Sequence, residues 1–346
     1  MCICTNIPVL LGAFFIIKTY MIKQFRSLSQ ANLALLIVIT LFLRLVIFIQ
    51  RPAQFRLAFL EPLMQLLIPA EWGQSLSSEV NLAIALVAII IQGLLVNHVV
   101  NIYSIIGKPT FLPALLFVTF SSLLPQFTII SPALVCNFLL IWIIYRLLAV
   151  YQSHGVRFIM FDIGMMVAVG TLIYFPFIAI LPIVWISLVI FRPFVWREWI
   201  LGLVGFLTIY FLVWVFYFWN DSLNQFYKIW LPLSGSFTPN FNIDLHDYFV
   251  LVPVAIIFLL AFFQLQQNFF RKSIQTRKSF EIFFFLLVLA LASLWIEVSF
   301  SMYHLLLCVP TASIFAAYFF LNEKRGWLYE SLYLLLIGAI VFFQLF

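Results

Sequence analysis

The residues that could carry chemistry are few: 12 Asp and Glu, 18 Lys and Arg and 4 His in 346 residues. Most sit between long apolar runs, and Arg44 is the exception, set inside one of them as LFLRLVIF. A guanidinium there either snorkels to the nearer interface or grips a partner, a phosphate or Glu61, in a bidentate fork. Glu61 opens the break EPLMQ in an amphipathic stretch, where a carboxylate can take a proton from an acceptor hydroxyl. Glu71 and Glu79 follow in the same loop as weaker candidates. Glu297 and His304 flank a short polar turn, WIEVSFSMYH. With Arg44 and Lys228 they can surround one cavity, Arg and Lys holding phosphates while His passes a proton. The catalytic candidates are therefore Glu61 and His304, and the substrate-binding candidates Arg44, Lys228 and Glu297. A solvated interfacial acid, a helix-end Glu and an interfacial His explain the same residues without chemistry.

A second constellation lies in FRPFVWREW, 191–199, with Arg192, Arg197, Glu198 and two tryptophans. Asp162 is placed by topology near Arg146 and Arg157, as a surface ion pair. Asn97 and Asn101 are four apart on one helical face, which suits inter-helix hydrogen bonds. The loop RKSIQTRKS, 271–279, concentrates four cations and reads as a topology signal in contact with anionic lipid. The four cysteines have no metal or redox spacing and read as small core residues. No combination of His, Cys, Asp and Glu marks a metal site. There is no Gly-rich phosphate cradle, no HExxH and no GxSxG.

The elements that must position these groups follow from composition. Hydrophobic residues make up 65% of the chain and charged residues 9%, with 42 Phe. Apolar runs of about 20 residues, each able to cross about 30 Å of hydrocarbon, recur throughout. The chain is expected to be all-α, a polytopic helical membrane protein of about eleven (10–11) transmembrane helices. The spans fall near 31–50, 80–105, 109–125, 129–149, 159–175, 177–191, 199–218, 248–267, 281–299, 303–321 and 328–345. The third is short, and only YFPF divides the fifth from the sixth, so either pair can be a hairpin that does not cross fully. With the N-terminus inside, every Lys and Arg except Arg44, Arg51, Arg56 and Lys228 falls on the inner flanks. This predicts N-in and C-out. The two longer loops, 51–79 and 219–247, then lie outside, the first with an interfacial helix over 55–67. Residues 21–346 form one integral membrane domain. Residues 1–20 lack a charged n-region and read as an upstream extension or an interfacial segment. The net charge of +6 flanks spans and forms no nucleic-acid stripe.

The stretch 161–211, with its FD-x-G opening, L-x-YFP turn and FRPF-x-WREW cluster, resembles an uncharacterised family of Bacteroidota inner-membrane proteins, a domain-of-unknown-function family. Membership implies a multi-pass protein of the bacterial inner membrane and brings no activity. An iron oxygenase site would need several converging histidines, whereas His98 and His154 are placed inside and His246 and His304 outside. In outline the chain is also similar to the GT-C glycosyltransferases. They cross once from an inner N-terminus, follow with an outer loop of interfacial helices, and pair spans around a run like Gly164 to Gly170. That likeness implies sugar transfer from a polyprenyl-phosphate donor at the outer face, with a divalent metal to hold the donor phosphates. The chain departs from it in its short first outer loop, without an acidic pair, and in having no soluble outer domain. The alternatives are a non-catalytic subunit or assembly factor of envelope machinery, and a lipid or small-molecule transporter. The expected partners are membrane lipids and a polyprenyl-linked substrate or another envelope protein, with no nucleic acid.

Overall fold

The computed structural model describes residues 21–50, 78–151, 153, 155–230, 245–296 and 302–345, with backbone alone at a few helix ends. Residues 1–20, the helix expected at 55–67, Glu61, Glu71, Glu297 and residues 231–244 of the second long loop lie outside them. Every regular element among the described residues is helical. In chain order these are α1 Met21–Phe25, α2 Ala31–Gln50, α3 Ser78–Ile102, α4 Leu112–Phe120, α5 Pro132–Ala149 and α6 Val156–Ile173. They continue as α7 Ile183–Phe191, α8 Trp196–Trp219, α9 Leu223–Lys228, α10 Leu245–Asn268, α11 Ile274–Ala292, α12 Val309–Asn322 and α13 Gly326–Leu345. Short 3-10 turns lie at Pro125–Thr128, Phe175–Ile180, Phe269–Arg271, Ser293–Trp295 and Met302–Cys308.

Hydrogen bonds between distant segments define two ends of the bundle. At one, here the basic end, Arg26 meets the end of α12 and Phe111 donates its N–H to the Phe25 carbonyl. Tyr103 reaches the Tyr145 carbonyl and Arg192 the Ser153 carbonyl at the same end. At the far end Asn81, near the start of α3, accepts from the Ile130 N–H, and Tyr174 meets His304. Among the described residues nine helices are long and apolar enough to cross a membrane. Two further apolar runs, the third and the sixth read in the sequence as short or divided, are interrupted. The third is the nine-residue α4 followed by the turn at Pro125–Thr128. At about 1.5 Å per residue α4 covers only about 13 Å of the roughly 30 Å of hydrocarbon. The sixth is a 3-10 turn from Phe175 joined to α7. Proline lies at the start of both of these turns: Pro125 and Pro176 lack the N–H that would continue an α-helix.

Burial sorts the passes. The segment Met302–Asn322 is 78% buried and forms the centre, whereas α8 and the window Leu251–Arg271 are 22% buried and form the rim. The exposed large side chains of the rim are apolar, as lipid requires, among them Leu203, Leu207, Phe211, Leu259 and Phe263. Exposed aromatics gather at the two ends: Phe158, Phe194, Trp196, Phe270 and Trp327 at the basic end, Trp219, Tyr227 and Trp295 at the far end. Two aromatic rims about one helix length apart are the pattern of membrane interfaces. The chain is a helical membrane protein.

Candidate functional site

Two helix breaks gather the buried polar groups. The first is the end of α4. Pro125 has no N–H, so the carbonyl four residues earlier, that of Ser121, loses its helical donor. Arg44 Nη2 supplies the replacement at 3.0 Å, and Arg44 Nε faces Ser122 Oγ at 3.4 Å. Gln344 Nε2, on α13, donates to the Ser122 carbonyl at 3.3 Å. The hydroxyls of Ser121 and Ser122 turn back to the Phe117 and Val118 carbonyls. A helix C-terminus carries about half a negative charge, so a guanidinium there is favoured electrostatically as well as by hydrogen bonding. Arg44 is only 1% exposed. The expectation that it snorkels to the outer interface is therefore corrected: the carbonyl end of α4 provides a partner inside the bundle. Among the described residues no carboxylate pairs with it, and its Nη1 makes no hydrogen bond.

The second break lies at the far end. The chain leaves α6 at Tyr174, which is extended and forms the cap of the turn that begins at Phe175-Pro176. Opposite it, the turn Met302–Cys308 precedes α12. Pro310, near the start of α12, cannot donate to the Leu306 carbonyl, and Asn137 Nδ2 of α5 does so instead at 3.0 Å. That bond ties the turn carrying His304 to the bundle. The Tyr174 hydroxyl meets both ring nitrogens of His304, with Nε2 at 3.0 Å. Tyr303 stacks on the imidazole, centroids 5.2 Å apart. Both His304 and Tyr174 are buried. Around them, Thr171 and Tyr210 share a 2.7 Å hydroxyl bond, and Trp230 packs on Tyr210 and Phe175. Trp230 follows α9 by two residues, so Lys228, the last residue of α9, is near this break by backbone; its side chain lies outside the described residues. An imidazole bonded to a phenol can hold or pass a proton.

Arg44 and His304 therefore sit on different breaks. Glu61 and Glu297, the carboxylates expected to join them, lie outside the described residues.

The basic end consumes its charges in pairs and caps. Arg146 meets Asp162 in an ion pair. Arg192 bonds the Glu198 carboxylate at 3.5 Å and the Ser153 carbonyl at 2.7 Å, while Glu198 is 7% exposed. Trp185 Nε1 donates to the Trp199 carbonyl. Arg197, Phe194 and Trp196 project outward, Arg197 over the Trp196 ring. Arg26 donates to the Phe320 and Glu323 carbonyls, capping the end of α12. Asn101 pairs through both side-chain atoms with the backbone of Thr110, bracing the turn before α4. Tyr103 lies beside this turn; burial first, then Tyr145, raises its hydroxyl pKa above the ordinary value, against Arg146.

The sequence reading missed Tyr174, Asn137, Ser121, Ser122 and Gln344. The signal was present in the prolines. A buried X-Pro inside an apolar run orphans the carbonyl four residues back, and some side chain must answer it. The run from Gly164 to Gly170 is accounted for by packing. A Cβ at Gly164 would come 2.0 Å from the Gly202 carbonyl oxygen, and one at Gly170 2.3 Å from the Phe177 ring. Among the described residues no group of three His, Cys, Asp or Glu converges as a metal's ligands.

No curated protein and no solved structure matches the chain. One family model does, over residues 62–346, and with most of the chain inside that match the protein belongs to DUF6427, a family of unknown function.

Proposed function

We propose that this DUF6427 protein is an enzyme of the bacterial inner membrane, its basic end in the cytoplasm and its far end facing outward. It transfers a sugar from a polyprenyl-phosphate donor at that outer face. The observation that carries the reading is the His304–Tyr174 pair: a proton-handling couple held at the far end by an aromatic wall and by the Asn137 brace. His304 takes the role of proton carrier, with Tyr174 fixing its ring and tautomer. Glu61, Glu297 and Lys228 are assigned to the acceptor and donor phosphates because the sequence reading places them on the same outer side as His304. Arg44 takes no direct part, since its Nε and Nη2 already serve the end of α4, at the other break. The outline likeness to GT-C glycosyltransferases supplies the substrate class.

The test is release of polyprenyl phosphate from a polyprenyl-phosphate sugar by purified protein. His304→Gln is expected to lower the rate about 100-fold or more, the usual weight of a general acid–base group. Tyr174→Phe should shift the pH profile and leave membrane levels unchanged. Full activity in both variants would sink the reading.

A second reading is favoured by the basic end, where Phe194, Trp196 and Arg197 project beyond the Arg192–Glu198 pair. There the protein is a non-catalytic subunit docking an envelope partner. Extraction in mild detergent should then recover one stoichiometric partner, lost in Phe194→Ala/Trp196→Ala. Recovery of the protein alone rejects this alternative.

A further inference from the structure

Three arginines at the basic end are already engaged. Arg146 and Arg192 have carboxylates, and Arg26 has two carbonyls. The turn from α10 to α11 differs. Arg271, Lys272, Arg277 and Lys278 stand within eight residues, and no carboxylate among the described residues pairs with any of them. Glu281, one turn along α11, is exposed and makes no bond to them. Two of the cations are held in place by rings. The Lys272 ammonium lies 5.2 Å from the Tyr318 ring centroid and the Arg277 guanidinium 5.8 Å from that of Phe269. Two donors in the same cluster are unanswered. Arg277 Nε makes no hydrogen bond, and the hydroxyl of Tyr318, a residue only 1% exposed, finds no partner among the described residues. Buried donors are rarely left so.

The surroundings say what kind of anion fits. Phe270, 86% exposed, projects beside the cluster at the aromatic rim. Above it the outer faces of α10 and α11 are apolar, with Leu259, Phe263, Phe284 and Val288 exposed. A ligand with a phosphate at the rim and hydrocarbon along these helices meets both. We propose that the α10–α11 turn is a binding site for the headgroup of an anionic phospholipid. Its phosphate is held by Lys272 and Arg277, with the Tyr318 hydroxyl in the same cluster, and its acyl chains lie along α10 and α11. Fixed cations at a headgroup layer select acidic lipids, and the selection weakens with salt.

The experiment counts lipids retained on the detergent-purified full chain by native mass spectrometry, with phosphatidylglycerol or phosphatidylcholine added. The unaltered chain is expected to retain the anionic lipid at least about tenfold more readily, given four cations near the headgroup layer. The variant Arg271→Gln/Lys272→Gln/Arg277→Gln/Lys278→Gln should lose that preference. A control removing as much charge elsewhere, Lys108→Gln/Arg157→Gln/Lys324→Gln/Arg325→Gln, should keep it. Equal retention of the two lipids, or equal loss in the control, overturns the site. The native chain supplies a readout independent of variant folding. Its preference must fall as salt rises, and inorganic phosphate at equal concentration must not displace the lipid; constancy in salt, or displacement by phosphate, overturns it.

Discussion

At the scale of single residues, this chain uses arginine to close helices. Arg44 answers the Ser121 carbonyl, Arg26 the Phe320 and Glu323 carbonyls, and Arg192 the Ser153 carbonyl just beyond α5. Arg44 and Arg26 sit where backbone oxygens at a helix end have run out of helical donors, which is also where the helix dipole favours a cation, whereas Arg192 braces the turn between α5 and α6. Two opposed terms set the value of Arg44. Its bond to Ser121 contributes about 1.5–3 kcal/mol as a charged hydrogen bond. Burying a guanidinium with one nitrogen unanswered costs several kcal/mol, so replacement by a shape-matched apolar residue need not destabilise. Arg44→Met should therefore change stability by less than about 2 kcal/mol, because it removes a charge while orphaning one carbonyl. Arg44→Ala should cost more, about 2–5 kcal/mol, because it also leaves a cavity. Unfolding midpoints in detergent decide this. A normal midpoint for Arg44→Met together with abolished cellular function would instead give Arg44 a direct chemical role.

At the scale of elements, the α6–α8 pair explains why FD-x-G and the following glycines occur together. Gly164 lies against the Gly202 carbonyl, Gly205 against the Phe161 carbonyl, and a Cβ at either would overlap backbone at 2.0 and 2.2 Å. Small residues let two backbones touch, and in lipid that contact replaces the hydrophobic drive of a water-soluble core. Gly202 in turn faces Val184 of α7, so the sixth and seventh passes share the seam. Gly164→Ala should destabilise by about 1–3 kcal/mol, since neither backbone can yield cheaply. Gly338→Ala on α13, with nothing within 4 Å of the new Cβ, should be neutral or stabilising by up to about 1 kcal/mol through helix propensity. Comparable losses in both would refute the packing account. Much of this layer was legible beforehand. The apolar runs located the nine long helices among the described residues, and YFPF and the short third run marked the two interrupted segments. The role of the glycines was not legible, because a glycine in a span reads alike whether it meets a ligand, a ring or a carbonyl.

At the scale of the whole molecule, the segregation of charge is the physical basis for orientation. The basic end gathers Arg26, Arg146, Arg192, Lys272 and Arg277, while the far end is lined by Tyr174, Tyr210, Trp230 and His304. Lys and Arg resist translocation, so the proposed orientation puts the basic end in the cytoplasm. A reporter that fluoresces only in the cytoplasm should light when fused before Met21 and stay dark after Phe346. A reporter active only outside should give the reverse, and the same signal at both termini would require an even number of crossings.

The amino-acid sequence by itself determined the membrane class and the all-helical character. These follow from local hydrophobic length and from charges flanking each run, which need no knowledge of neighbours. The sequence also placed Asp162 beside Arg146 across one turn. Only the tertiary structure decided which polar groups meet inside the bundle. Arg44 finds Ser121 77 residues away, Tyr174 finds His304 130 residues away, and Asn137 finds Leu306 169 residues away. The reason is physical. A proline tells the reader that a carbonyl will be orphaned, but the donor that answers comes from whichever helix packs alongside, and that is settled by the fit of whole helices.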